Sequence, residues 1–407
     1  MSGFWTLTTW TTQTTSSSSQ RTLSLPLLAS SSGLCQIRGR REAPKTMADA
    51  NPRMLVVARE ARGIGQADIA NRLSVNQATI SRMEGGVAPV SDPVLAGYAQ
   101  ELDFPHAFFK QQQPLHGAGT DAFHQMYRRR QALPAKSLKK VEADVNIVRM
   151  HIARLLDAVE STSSISIPKL DISEYGDRAE RVAEAVRAAW QLPSGPIENM
   201  TALIEAAGGI VIRMDFGTNL VDATSIRYAG LPPLFFVNEN LLGDRLRFTL
   251  AHELGHMVMH EVPASTMENE ADAFASEFLM PARDISSSLN RLDLRKAALL
   301  KPYWKVSMAA LVYRAKTLGK ITESQYRRLW TQMGAAEIRL REPMELDIPV
   351  ESPSLHKELI DLHVNELKYS TEQLSELLLS CVSDVRRLHR IPATQVTPGL
   401  RLVERRA

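Results

Sequence analysis

The chain has 407 residues, 48 Lys and Arg against 45 Asp and Glu, a formal net charge of +3, and 44% hydrophobic and 23% charged residues. This is a globular composition, too long for one core, so two or three domains of about 100–200 residues are expected. No run reaches the roughly 18 apolar residues of a membrane span, which argues against a membrane partner. The two cysteines, Cys35 and Cys381, rule out a disulfide framework and point to a reducing, cytoplasmic setting.

In chain order, the first 41 residues hold seventeen Ser or Thr, four Arg and no acid. Such a segment buries too little apolar area to offset its ordering entropy. Residues 1–46 are therefore expected to be disordered or an upstream extension of the reading frame, with the working start near Met47. Residues 47–112 read as short helices. Pro52 opens the first, Gly63 and Gly65 break it, and Gln66 to about Leu73 forms a second. Asn76 caps a third over Gln77–Glu84, which Gly85-Gly86 stops. Pro93–Leu102 is a fourth, and Pro105–Phe109 closes the unit. A helical connector is expected over 113–165, with six Lys or Arg and no acid in 122–141 and a linker at Ser161–Ser166.

Helices are expected over Ser173–Trp190 and Ile197–Ala207, then short strands at Ile210–Ile212 and Leu234–Val237. Two helices follow, about Asp244–His260 and Met267–Leu279, in a unit spanning 166–290. Residues 291–407 read as a helical extension. No internal repeat of fixed period is present.

His252-Glu253-Leu254-Gly255-His256 matches H-E-x-x-H. Residues four apart share a helix face, so both imidazoles can grip one ion, and Glu253 can reach a water there as general base. A catalytic zinc needs a third protein ligand, for which Glu268, Glu270 and Glu277 compete. Val262–Thr266 is short and contains Pro263, so the two helices should form an antiparallel hairpin. With Pro263 as midpoint, Glu270 lies level with His256. Glu277 falls about 10 Å further along, and Glu268 points about 200° away from Glu270. Glu270 is the expected ligand, with Asp272 supporting a ligand from behind. His260 lies about 12 Å along the helix from His252, too far to share its ion.

Thr249–His260 (TLAHELGHMVMH) followed by Glu268–Pro281 (ENEADAFASEFLMP) resembles the ImmA/IrrE family of zinc endopeptidases. The resemblance covers roughly 170–290. It implies a gluzincin-like site with His252, His256 and Glu270 on zinc and Glu253 as base, and as substrate a helix-turn-helix repressor protein. It also implies a helical extension packed over the zinc hairpin.

Residues 51–110 resemble the XRE (lambda-Cro-like) helix-turn-helix family, on Arg59–Gly63, Gln66–Ala70 and Ser74–Gly86. The third helix would then enter the DNA major groove, presenting Asn76, Gln77, Thr79 and Arg82, where Gln suits adenine and Arg guanine. Gln66 would hold a phosphate, and Ala70, Val75 and Ile80 would be core. The expected fold is mainly α with a small β component: a lambda-repressor-like domain, an α+β zinc peptidase domain, then the helical extension. The expected function is a DNA-binding transcriptional regulator with a zinc endopeptidase domain, acting as a homodimer on an operator in double-stranded DNA. The alternative is a regulator or antitoxin whose peptidase-like domain is structural or ligand-sensing and does not cut.

Overall fold

The computed structural model describes residues 49–113, 115, 134–159, 165–261 and 264–392. The expected 1–46 extension, most of the 122–141 basic stretch, most of the Ser161–Ser166 linker and Pro263 lie outside the described residues. The first helix, α1 (Pro52–Ala61), starts on a proline, with the Asn51 side chain accepting from the Arg53 amide at 3.0 Å. Next come α2 (Gln66–Arg72), α3 (Gln77–Glu84), α4 (Asp92–Leu102) and a 3-10 turn at His106–Lys110. Asn76 caps α3 as expected, accepting from the Ala78 amide at 2.8 Å. Ala70 and Ile80 are buried, and Val75 is half-buried against the same core.

A buried network ties these helices together. Glu84 accepts from Arg59 Nε at 2.7 Å and from Tyr98 Oη at 2.9 Å. Burial raises the Tyr98 pKa, and the Glu84 carboxylate raises it further. Removing one partner of such a buried pair typically costs about 3–5 kcal/mol.

The long helix α5 (Ala135–Leu156) is buried almost continuously from Val141 to Ile152 and lies in one core with α1 to α4. The expected Ser173–Trp190 helix is divided. Ile172–Tyr175 is a 3-10 turn ended by Gly176 at φ +68, and α6 (Ala179–Ala189) follows. Then α7 (Met200–Ala206) starts late, because Asn199 caps the Ala202 amide at 2.9 Å.

Three strands, β1 (Ile210–Met214), β2 (Ala223–Ile226) and β3 (Leu234–Asn238), form a sheet in the order β1-β3-β2. β3 is parallel to β1 and antiparallel to β2. β2 has no counterpart among the expected strands. Its residues, Ala-Thr-Ser-Ile, carry only a weak strand signal, and pairing with β3 fixes their conformation. Alternation along a strand assigns its side chains to opposite faces. Ile210, Ile212, Leu234 and Phe236 join the core shared with the N-terminal helices, while Val211, Phe235 and Val237 join a second core. The sheet is thus the wall between two hydrophobic interiors.

The second core holds α8 (Gly243–Met259), α9 (Met267–Leu279), α10 (Ala282–Ile285), α11 (Leu294–Trp304), α12 (Met308–Thr317) and α13 (Glu323–Ala335). Arg314 of α12 pairs with Glu277 and donates to the Met280 carbonyl, fastening the extension to α9. The last helices, α14 (Leu355–Asp361), α15 (Thr371–Leu378) and α16 (Val382–His389), pack into the first core instead. The C-terminal region is therefore divided between the two interiors. Arg62 of the N-terminal unit binds Asp384 of α16 at 2.6 Å. Among the described residues, no helix is long and apolar enough to cross a membrane.

Candidate metal centre and nucleic-acid interface

Helix α8 is anchored before it delivers its histidines. Arg247, fully buried, pairs with Glu351 and donates to the carbonyls of Ile197 at 2.6 Å and Lys305 at 3.1 Å. Gly255 sets how closely α9 approaches. A Cβ there would lie 3.1–3.2 Å from the Phe274 side chain, tighter than ordinary packing.

One turn apart, His252 and His256 bring their Nε2 atoms to 2.9 Å of each other. Glu268 of α9 faces both, with one carboxylate oxygen 3.6 Å from His252 Nε2 and the other 3.6 Å from His256 Nε2. Ligand atoms of these three residues all lie within 4.8 Å of one another. A tetrahedral ion with bonds of about 2.1 Å has edges of about 3.4 Å, so the Glu268 separations suit zinc. Glu268 Oε1 is buried and has no hydrogen-bond partner among the described residues. A carboxylate whose two oxygens each face an imidazole nitrogen is a donor set that fits a divalent cation.

Atoms behind the triad hold the rings. His252 Nδ1 hydrogen-bonds Asp272 Oδ1 at 2.8 Å. His256 Nδ1 meets His260 Nδ1 at 2.9 Å, and His260 Nε2 meets Glu270 Oε2 at 2.9 Å. Glu270 therefore faces His260, and the third residue beside His252 and His256 is Glu268. The difference from the sequence expectation is one of face rather than of midpoint. Helix α8 ends at Met259 and α9 begins at Met267, so residue 263 is the midpoint, but a midpoint count does not fix which face of α9 turns toward the histidines. Glu277 is occupied by Arg314 and the Ala282 amide, the latter at 2.9 Å. The unused signal was the four-residue spacing of Glu268 and Asp272, which puts both acids on one helix face.

Glu253 is 4% exposed, and its Oε2 accepts from Ser225 Oγ at 2.6 Å. Ser225 lies on β2, the strand the sequence did not reveal. Around the imidazoles stand four carboxylates, Glu253, Glu268, Glu270 and Asp272. Burial opposes charge on His252, but its hydrogen bond to Asp272 and the nearby carboxylates of Glu268 and Glu253 outweigh burial and push its pKa up to about 10. Burial, with the neighbouring His252 and His260, holds His256 well below its ordinary value. Burial also lowers His260, and Glu270 offsets part of that effect.

Beside the triad, Asp272 also lines a cleft of about 620 Å³ that runs past Arg245, Phe248, Tyr313 and Trp330. That volume matches a site that encloses a small ligand or a short stretch of chain.

In the N-terminal unit, Asn76, Gln77, Ser81 and Arg82 are exposed and Thr79 is half-buried, so α3 offers an open polar face. Asn76 commits its side-chain oxygen to capping. Gln66 donates its amide to Glu84 Oε2 at 2.9 Å and so belongs to the buried network rather than to a free surface. On α5, Lys139 pairs with Glu60 at 3.4 Å and Lys140 with Asp144 at 2.6 Å.

Short helices in a helix-turn-helix arrangement followed by an α+β unit with an H-E-x-x-H hairpin are the layout of a helix-turn-helix domain joined to a metallopeptidase-like domain. Comparison with known families agrees. Residues 54–107 match a helix-turn-helix domain, and residues 204–316 match the IrrE N-terminal-like domain. The chain thus fuses a helix-turn-helix domain to an IrrE-like domain, a family associated with metallopeptidase activity. No curated protein matches the chain.

Proposed function

We propose that this protein is a DNA-binding transcriptional regulator whose IrrE-like domain is a zinc endopeptidase. The observation that carries this reading is the Glu268 carboxylate, whose two oxygens each lie 3.6 Å from one of the Nε2 atoms of His252 and His256, with no hydrogen bond made by Oε1 among the described residues. His252, His256 and Glu268 are the proposed ligands. Bound there, zinc would supply Lewis acidity toward a peptide carbonyl and lower the pKa of water. Glu253 takes a proton from the attacking water and passes it to the departing amine. Ser225 fixes the Glu253 carboxylate by donating its hydroxyl proton. Asp272 orients His252 and strengthens it as a donor.

The proposed substrate is a helix-turn-helix repressor, and the proposed DNA-reading positions are Gln77, Thr79 and Arg82, with Asn76 setting the start of the helix. A homodimer would read paired half-sites, and the proposed location is the cytoplasm. Domain limits at 47–112, 113–165, 166–290 and 291–407 are proposed as functional units, although hydrophobic cores cross those limits. The test is a comparison of the proteomes of cells carrying wild-type and Glu253→Gln protein. One repressor yielding a defined fragment only with wild type supports the reading. Identical regulation by both, with no fragment, leaves a regulator whose peptidase-like domain does not cut.

A further inference from the structure

A second cavity, about 510 Å³, opens between β1 and the last helices, well within the size range of small-molecule sites. Its charged lining is Arg213, Lys357 and Arg390 against Asp361, with His356 and His389 beside them. Arg213 and Arg390 converge on one residue. Arg213 donates to the Glu239 carbonyl at 2.5 Å, and Arg390 pairs with the Glu239 carboxylate. Arg213 Nε is buried with no hydrogen-bond partner among the described residues. Burial disfavours the Arg213 charge, and Arg390 disfavours it further. A buried N–H without an acceptor, beside a second guanidinium, is relieved by an anion.

We propose that this cavity is a binding site for a small multiply charged anion, a di- or tricarboxylate or a phosphate, held by Arg213 and Arg390 with His356 and Lys357.

From the site a row of hydrogen bonds runs to Ser380, whose neighbours in the chain meet the helix-turn-helix unit. His356 Nε2 meets His389 Nδ1 at 2.9 Å, His389 Nε2 meets His151 Nδ1 at 2.8 Å, and His151 Nε2 meets Ser380 Oγ at 2.8 Å. A neutral imidazole carries one N–H, so the row runs in one of two directions. His356 Nδ1 has no hydrogen bond to another described residue. An anion there requires that atom to donate. His356 Nε2 then accepts from His389, His389 Nε2 accepts from His151, and His151 Nε2 accepts from the Ser380 hydroxyl. The ligand therefore sets the direction of the whole row. Next to Ser380, Cys381 and Asp384 meet Arg62 of the helix-turn-helix unit.

The test is calorimetric titration of the full chain with inorganic phosphate and, separately, with succinate and citrate, at matched ionic strength. Saturable binding of at least one is expected. The productive arm tells phosphate from carboxylate chemistry. Arg213→Met should weaken that binding about tenfold or more, and Lys357→Gln, at an exposed side chain, a few-fold with the fold intact. Nitrogen-15 spectra of the histidines should show His356 protonated on Nδ1 when ligand is bound. Absence of saturable binding by all three probes overturns the proposal. So does binding that Arg213→Met and Lys357→Gln leave unchanged.

Discussion

Among the described residues stand two trios of histidines, and they differ in what stands behind them. His252, His256 and His260 are surrounded by Glu253, Glu268, Glu270 and Asp272, and two Nε2 atoms converge with a carboxylate. His151, His389 and His356 are strung ring to ring with no carboxylate between them. In the first trio, acids behind the rings free two nitrogens to face one point. In the second, no carboxylate joins the ring nitrogens, and among the described residues no three-residue donor set converges there. Grip on a cation depends on the acids around the rings, not on the number of imidazoles.

The largest expected effect breaks the comparison at its reactive end. Glu253→Gln should lower peptide cleavage by about 10²–10⁴-fold, the usual contribution of a general base, while zinc content stays at the wild-type level. Cleavage assays on the repressor fragment, paired with metal analysis, check both halves.

The second trio should show in acid unfolding. Burial pushes His151 down to about 3, with the Asp384 carboxylate and the Arg154 charge acting in opposite directions. Burial and Arg390 push His356 down to about 4. Burial and the two neighbouring rings hold His389 well below its usual value. The folded rings stay neutral where the unfolded rings, with a pKa of about 6.5, take up protons. Stability is therefore full above that pH and falls as pH drops from about 6.5 toward 4, by about 1.4 kcal/mol per pH unit for each proton. Denaturant titrations at several pH values should show this slope, and His151→Gln should make it shallower.

Asp272→Asn should weaken zinc binding by about 10–100-fold without removing a ligand, measured by competition with a chelator. In the helix-turn-helix unit, Arg82→Ala should cost about 1–3 kcal/mol at one operator position if Arg82 reads a base. Binding to single-base operator variants measures that effect, and no loss at any position would contradict that role for Arg82.

Much of the fold was legible from local chemistry. Asn76 before a helix, Gly85-Gly86 after it, and the limits Gln77–Glu84 and Met267–Leu279 follow from caps, stops and apolar spacing. His252, Glu253 and His256 were legible because their geometry is fixed within one helix. The proposed third ligand, Glu268, was not, because the choice among three acids depends on which face of α9 turns toward α8, and tertiary packing sets that face. Ser225 was not, because its strand exists through pairing with β3 rather than through its own residues. The row from His356 to Ser380 joins positions more than 200 residues apart along the chain, and only tertiary packing brings them together.

Metal content of purified Glu268→Gln and Glu270→Gln proteins, determined side by side with wild type by mass spectrometry, tests the central arrangement most directly. Glu268→Gln should lose most of its zinc, while Glu270→Gln, acting only through His260, should retain it. Zinc kept by Glu268→Gln and lost by Glu270→Gln would contradict the account.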